Sequence, residues 1–193
     1  MARAEAQAAA HGIAEATDDY AAMLARTDLD AVAIATPPAA HYEMTMAALA
    51  AGKHVLCEKP FALDARQARE MRDAARASGL TAMVAHEFRH SGQRSYVQEL
   101  IEAGFVGRPQ LVRVELFMGR PRPETPPPLT AAASAAQGGG MLGALGSHYI
   151  DGLRAWFGDV QRVSGLLRTL RPDRLDAASG RVVQADAEDT FEF

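Results

Sequence analysis

The sequence predicts an α/β protein in which a partial Rossmann-like parallel sheet is followed by the start of an α+β domain with a largely antiparallel sheet. Two observations carry this prediction. Up to about residue 85, short apolar strands alternate with helices, which is the pattern of βαβ units in a parallel sheet. After about residue 90 the pattern changes to amphipathic helices and longer strands open to solvent on one face. A boundary is therefore expected near residue 90.

The first region opens with two predicted helices. Residues 2–10 are strong helix formers, and Gly12 follows them as a C-cap residue. The second helix has Thr17, Asp18 or Asp19 as its candidate N-cap. No strand or turn pattern precedes the first of these helices.

Three strands and two longer helices then alternate. The predicted strands are short, apolar and rich in β-branched residues, and we expect them to be buried in a parallel sheet; they cover 31–35, 54–57 and 81–85. The helices between them cover 39–51 and 65–78. Asp64 is the predicted N-cap of the second helix, and Gly79 ends it.

In the second region the sequence predicts helices and strands that do not alternate regularly. Its predicted helices cover 95–104 and 142–157, and its predicted strands cover 109–119, 160–170 and 189–193. Residues 121–128 hold five of the ten prolines and predict a loop. Residues 131–140 are small and predict a flexible connection.

Composition excludes several classes of function. The chain has 193 residues, 48% hydrophobic and 23% charged, which is ordinary for a globular protein. Its net charge is −4 and its basic residues are scattered, so no nucleic-acid partner is expected. No apolar run approaches the ~18 residues that span a membrane, and the N-terminus lacks a signal-peptide core. The single cysteine, Cys57, predicts a core thiol in a reducing compartment, so we expect a cytoplasmic protein.

The segment 86–90 reads HEFRH and satisfies the H-E-x-x-H zinc signature. That signature requires a helix, where four-residue spacing puts both imidazoles on one face. Here it directly follows a predicted strand, so we interpret the match as coincidental and expect no metal. Zinc hydrolysis remains the third of three functional hypotheses.

Polar residues follow the first two predicted strands, in TPP (36–38) and EKP (58–60). Ligands of open parallel sheets bind beyond the carboxyl ends of the strands. Lys59 is one of only two lysines among 20 basic residues, which favours a need for a compact, titratable ammonium group. The alternative is an ordinary solvated surface charge.

His148 is a second candidate for proton chemistry. It lies near the start of a predicted helix, after three consecutive glycines at 138–140. Asp151, three residues on, could bind the ring and fix its tautomer. The alternative is a core or surface histidine with a local partner.

Three segments of the chain resemble the Gfo/Idh/MocA family of NAD(P)-dependent oxidoreductases. The segments cover 31–63, 85–116 and 138–158, and they carry the family's TP, GKHV and EKP motifs and its glycine-rich helix. The resemblance implies hydride transfer between NAD or NADP and a sugar, polyol or related carbinol or carbonyl substrate. It further implies that 1–90 is the C-terminal part of a dinucleotide-binding Rossmann domain. Residues 91–193 would then be the N-terminal part of a substrate and oligomerisation domain, and a homo-oligomer is expected.

The resemblance also implies roles for particular residues. Lys59 matches the lysine that touches cofactor and substrate, and His148 matches the family's general acid/base. Arg89 matches a residue near the nicotinamide. The positions that match cofactor contacts are Thr36, Pro37, His41, Glu58, Lys59 and Arg89.

Two departures from the family pattern bear on activity. Ala144 stands where the family has an aspartate one helical turn before the histidine, and Asp151 is a candidate replacement. No G-x-G-x-x-G follows a strand, so the usual phosphate cradle is not in this sequence and weak NAD(P)H binding by this chain alone is expected. The segment 31–35 would then be an unpaired sheet edge. The alternative to the enzyme is a catalytically inactive truncated fragment or a non-enzymatic partner-binding remnant.

Overall fold

The computed structural model describes residues 1–118 and 125–193. The described chain forms two compact units, one of residues 1–36 and 40–84 and one of residues 37–39 and 85–193. In the first unit the helices are α1 (Ala2–His11), α2 (Tyr20–Leu24), α3 (His41–Ala50) and α4 (Ala65–Ser78), and the strands are β1 (Ala31–Ile34), β2 (His54–Cys57) and β3 (Ala82–Val84). This order confirms the predicted elements of the first region.

The three strands form a parallel sheet in the order β1-β2-β3. Helices α3 and α4 connect them, which confirms the predicted βαβαβ pattern. Strand β1 lies at one edge of this sheet, as expected. The carboxyl ends of β1 and β2 therefore lie side by side, because Ile34 pairs with Cys57.

The core of the first unit lies on one face of the sheet. Its buried residues are Leu24, Ile34, Ala48, Leu49, Val55 and Cys57. Successive side chains of a strand point to opposite faces, and Leu56 and Met83 remain 44% and 56% exposed. The prediction of buried strands is therefore correct for one face only; in the described chain the other face leaves these side chains open to solvent.

The ends of the helices follow local signals in the sequence. The Asp64 side chain caps α4 by accepting a hydrogen bond from the Gln67 N–H at 2.8 Å. Gly79 ends the same helix with a φ of 67°, in the left-handed region that favours glycine. Asp19 caps α2 by accepting a hydrogen bond from the Ala22 N–H at 2.9 Å.

Lys53 is a structural residue in the turn before β2. Only 8% of it is exposed. Its ammonium donates hydrogen bonds to the carbonyl oxygens of Arg26, at 2.6 Å, and Leu29, at 2.9 Å. These contacts hold the loop before β1 against the turn before β2. Of the two lysines, Lys53 therefore has a structural role.

The described residues of the second unit form two α-helices and two small antiparallel ladders. Its elements are α5 (Gly92–Glu102), α6 (Ser147–Phe157), β4 (Leu166–Arg168), β5 (Asp173–Leu175), β6 (Val182–Gln184) and β7 (Thr190–Glu192). Strand β4 pairs with β7, and β5 pairs with β6. The predicted antiparallel character of this region is confirmed. A π-helical turn, Leu142–Gly146, precedes α6, so the predicted helix 142–157 begins with a widened turn.

The predicted strand over 109–119 is wrong for residues 109–118, which have no regular secondary structure. A strand needs a hydrogen-bonded neighbour, and none of the described strands pairs with this segment. Its apolar side chains stay in solvent, with Leu111 85% and Phe117 89% exposed. Residue 119 and residues 121–124 of the predicted loop lie outside the described residues.

The strand predicted over 160–170 is also too long, because only Leu166–Arg168 pairs with β7. The hairpin of β5 and β6 was not predicted, since both strands have three residues and one of them begins with two charged side chains. None of the helices in the described part of the chain is long and apolar enough to cross a membrane.

Candidate active site

The loops after β1 and β2 are joined by one buried histidine. His41, the first residue of α3, is 0% exposed. Its Nε2 lies 2.8 Å from the carbonyl oxygen of Thr36, and its Nδ1 lies 3.0 Å from that of Pro60. Both partners are acceptors, so each contact is a hydrogen bond when the ring nitrogen carries a proton. His41 therefore fixes the two strand-end loops relative to each other.

The side chains predicted to act at the strand ends are partly buried. Thr36, Glu58 and Lys59 have intermediate exposure, whereas Pro37 is exposed. The Thr36 hydroxyl donates to Sδ of Met44 at 3.6 Å. Glu58 extends the sheet by one residue, because its N–H donates to the Ile34 carbonyl at 2.9 Å.

Lys59 follows directly from this extended ladder. Its N–H donates to the Glu58 carboxylate at 3.1 Å, and its peptide bond to Pro60 is cis. The loops after β1 and β2 therefore carry three polar groups at neighbouring strand ends. These are the Thr36 hydroxyl, the Glu58 carboxylate and the Lys59 ammonium group. The sequence predicted this grouping at the carboxyl edge of the sheet.

In the second unit, His148 lies in the first turn of α6 and is 3% exposed. Three consecutive residues of the segment after β3 contact its ring. The Phe88 ring stacks on it with centroids 3.9 Å apart and an interplanar angle of 13°. The His86 ring meets it edge to face at 5.7 Å. Glu87 places its Oε1 3.8 Å from Nε2.

Arg94 of α5 fixes the backbone of His148. Its guanidinium donates to the His148 carbonyl at 3.0 Å. The same group lies over the rings of Phe88, Tyr149 and Trp156, with distances to the ring centroids of 5.0, 4.9 and 6.0 Å. A planar guanidinium can stack on rings and donate in its own plane at once. His86, Glu87, Phe88 and Arg94 together form what we call the His148 cradle.

A salt bridge between Arg89 and Asp151 is a second contact between the segment after β3 and α6. The guanidinium donates from Nε to Oδ2 at 3.0 Å and from Nη2 to Oδ1, a bidentate pair. Burial raises the pKa of Asp151, but the Arg89 hydrogen bond and the nearby His86 lower it more, so it lies below its ordinary value of 3.8. Both oxygens of Asp151 bond to Arg89, which disfavours Asp151 as the replacement for the missing acid beside His148.

The glycines at 138–140 have a packing role. Gly140 has a φ of 113°, and a Cβ there would overlap the carboxylate of Glu188. That carboxylate accepts a hydrogen bond from the Leu142 N–H at 2.7 Å, at the start of the π-helical turn. Ala144, the residue at the family's aspartate position, lies within this turn and is exposed. The absence of a side chain at Gly140 thus leaves space for the Glu188 carboxylate, which accepts a hydrogen bond at the start of the helical segment that carries His148.

The HEFRH segment does not form the helix that a zinc site needs. Glu87–His90 is a 3₁₀ turn. With three residues per turn, positions four apart point about 120° away from each other rather than to one face. Among the described residues no group of three or more His, Cys, Asp or Glu side chains is arranged to hold a metal ion. The segment instead supplies most of the His148 cradle.

Sequence reasoning missed Glu87, Phe88 and Arg94 as neighbours of His148. Glu87 and Phe88 were visible only as part of a zinc signature. Arg94 lies 54 residues from His148 in the chain, and no spacing rule connects the two. Only the tertiary packing of α5 on α6 reveals the group.

A parallel sheet with polar strand ends, followed by a unit with antiparallel ladders, defines a Rossmann-type protein with a second domain. Two family models match the chain. The model described as an oxidoreductase family with an NAD-binding Rossmann fold matches residues 1–86, and the GFO/IDH/MocA C-terminal domain matches residues 95–193. The chain therefore belongs to the GFO/IDH/MocA oxidoreductase family.

Individual relatives agree with this assignment. An uncharacterized oxidoreductase from Synechocystis sp. is 36% identical, over 98% of this chain and 51% of its own length. Levoglucosan dehydrogenase from Pseudarthrobacter phenanthrenivorans is 32% identical, over 84% of this chain and 42% of its own. A solved structure of levoglucosan dehydrogenase with NADH and L-sorbose aligns with a TM-score of 0.85 at 28% identity, covering 99% of this chain and 51% of that chain. The chain spans about half the length of these relatives.

Proposed function

We propose that the protein acts in hydride transfer between NAD or NADP and a sugar, polyol or related carbinol or carbonyl substrate. The observation that carries the proposal is the fixed pair of loops at the carboxyl edge of the parallel sheet. His41 binds the carbonyls of Thr36 and Pro60, and Lys59 lies in one of the two loops. Ligands of open α/β sheets bind at this edge.

The residues at this edge suit a nicotinamide dinucleotide. Thr36 and Glu58 offer a hydroxyl and a carboxylate that bind ribose hydroxyls or a carboxamide, and Pro37 leaves the loop surface without a competing N–H. The ring of His41 is fully buried, so we assign it the role of holding the loops that contact the cofactor. When bound, the cofactor supplies or accepts the hydride. Arg89 is a further candidate contact of the cofactor.

Two side chains would manage charge and protons at the substrate oxygen. The Lys59 ammonium donates a hydrogen bond to the substrate hydroxyl and stabilises the negative charge that develops there. The His148 imidazole accepts the hydroxyl proton in oxidation and returns it in reduction. The buried ring of His148 is held by the His148 cradle, so it can exchange a proton without losing its orientation.

The substrate class is proposed from the relatives. Levoglucosan dehydrogenase is solved in complex with levoglucosan and with L-sorbose, both carbohydrates. We extend to this chain the class of hydroxylated sugars and their ketones. We also propose that the division between the nucleotide domain and the substrate domain lies near residue 90.

Turnover by the purified protein tests the proposal. NAD⁺ and NADP⁺ are supplied at millimolar concentration, with levoglucosan, L-sorbose and simple glucosides as substrates. Absorbance at 340 nm reports the reduced cofactor. We expect sugar-dependent turnover that falls about 100-fold or more in Lys59→Gln and in His148→Gln. His11→Gln, at an exposed position, is the matched control and should keep full activity. Turnover that survives in Lys59→Gln contradicts the proposed role of Lys59.

A further inference from the structure

The carboxylate of Glu87 faces the ring nitrogen of His148. Its Oε1 lies 3.8 Å from Nε2. The His148 side chain is buried, with 3% of its surface exposed. Glu87 itself is 59% exposed at its side chain, so its charge stays solvated when the histidine is neutral. This is an arrangement in which the acid stabilises a proton on Nε2 without being buried itself.

The surroundings of His148 give this carboxylate a specific task. From the segment after β3 come His86, edge to face with the ring, and Phe88, stacked on it. From α5 comes the Arg94 guanidinium, bound to the His148 carbonyl. Both His86, when protonated, and Arg94 disfavour a positive charge on His148. Phe88 offers no charge, so Glu87 is the member of this cradle that favours the imidazolium.

The positions one turn before and one turn after His148, in the π-helical turn and in α6, do not place a carboxylate against its ring. Ala144, one turn earlier, has a methyl group that can neither accept a hydrogen bond nor carry charge. Asp151, one turn later, has both oxygens bound to Arg89. A carboxylate that can respond to a proton on His148 lies instead in the segment after β3, at Glu87.

We propose that Glu87 is a positioning residue for His148, one whose carboxylate faces Nε2 and stabilises the protonated form of the imidazole. The inference rests on the proposed function of His148 in proton transfer. It gives the HEFRH segment a function that involves no metal: Phe88 sets the plane of the ring, and Glu87 sets its proton affinity.

The titration of His148 tests the inference without cofactor or substrate. The Cε1–H signal of His148 is followed by NMR from about pH 5 to about pH 9, and it is assigned by its loss in His148→Gln. We expect Glu87→Gln to lower the pKa of His148 by roughly 0.2–0.7 units, the shift that corresponds to a partly exposed ion pair. Glu87→Asp, which keeps the charge, should keep part of the shift.

The matched control is Glu102→Gln at the end of α5. It removes the same charge about 12 Å along the helix from Arg94, and we expect it to change the pKa of His148 by less than about 0.1 units. Equal shifts in Glu87→Gln and Glu102→Gln would overturn the inference. Because no hydride transfer is measured, this failure is distinct from a failure of the proposed function, which would appear as missing turnover with the Glu87 shift intact.

Discussion

The rings of Phe88 and His148 lie parallel, with their centroids 3.9 Å apart and an angle of 13° between their planes. Phe88 comes from the segment after β3, and His148 comes from α6. An aromatic ring on one face of an imidazole restricts its rotation without taking either nitrogen. The stack itself occupies neither ring nitrogen, and it makes the position of His148 depend on a residue 60 positions earlier in the chain.

Replacing Phe88 by Leu should release the ring of His148. The ring protons of His148 are expected upfield in the wild-type NMR spectrum, because they lie over the face of Phe88, and Phe88→Leu should remove this displacement. The unfolding free energy should fall by about 1–2 kcal/mol, since an aromatic pair and buried area are both lost. Phe88→Tyr, which keeps the ring, is the control. An unchanged His148 signal in Phe88→Leu would show that the stack does not exist in solution.

Arg94 should not tolerate replacement by Lys. A compact ammonium keeps the charge but cannot place a planar cation over these rings while donating to the His148 carbonyl. We expect Arg94→Lys to lower the unfolding free energy by about 1–3 kcal/mol and to speed amide hydrogen exchange in α6. Arg154→Lys, at an exposed position of α6, should change the unfolding free energy and the amide exchange by much less. Equal effects of the two substitutions would contradict this role of Arg94.

His41 should be needed for the stability of the first unit. His41→Phe removes the ring nitrogens that face the buried carbonyl oxygens of Thr36 and Pro60, so a loss of about 1–3 kcal/mol is expected in urea unfolding followed by circular dichroism. His41→Asn can restore one bond and should be intermediate. His11→Phe, on the exposed face of α1, is the control. A loss no larger than that of His11→Phe would mean that the two loops do not depend on His41.

The Arg89–Asp151 pair predicts a pH dependence of stability. The pKa of Asp151 in the folded protein lies below its ordinary value of 3.8, so the pair stabilises the fold above that pH. The contribution is lost as the pH falls through the folded pKa. Because 45% of the Arg89 side chain is exposed, we expect Asp151→Asn to cost only about 0.5–1 kcal/mol near pH 7.

The difference between wild type and Asp151→Asn should therefore shrink as the pH falls below 3.8 and close once the pH passes the lowered pKa of the folded protein, as measured by urea unfolding at a series of pH values. Asp159→Asn is the control, because the Arg154–Asp159 pair is more exposed and should contribute close to nothing. A difference that does not shrink as the pH falls below 3.8 would contradict the assignment of a lowered pKa to Asp151.

The elements that could be predicted from the sequence are those with local signals. Helix α4 has its cap at Asp64 and its glycine at Gly79, and both act as the sequence indicates. The short apolar strands of the parallel sheet are equally local. The segment 109–118 has the composition of a strand but no partner among the described strands, and a strand depends on its partner.

The candidate site divides in the same way. Lys59 and Thr36 were predictable because they follow strands, and the ends of parallel strands mark one edge of a sheet. The His148 cradle was not, because it joins segments that are 54 to 62 residues apart in the chain. Three of its members, His86, Glu87 and Phe88, lie in the HEFRH motif, but that motif is typical of zinc binding rather than of contacts with a histidine.

The central claim is that the loops after β1 and β2 bind the nicotinamide cofactor. It is tested most directly by NMR titration of the isotope-labelled protein with NADH at millimolar concentration, with AMP as the control ligand. We predict that the backbone amides of Thr36, Glu58 and Lys59 shift with NADH, and shift much less with AMP, whereas Gly12 at the end of α1 moves with neither. Amides of these loops that stay in place with NADH, or that respond equally to AMP, would contradict the account.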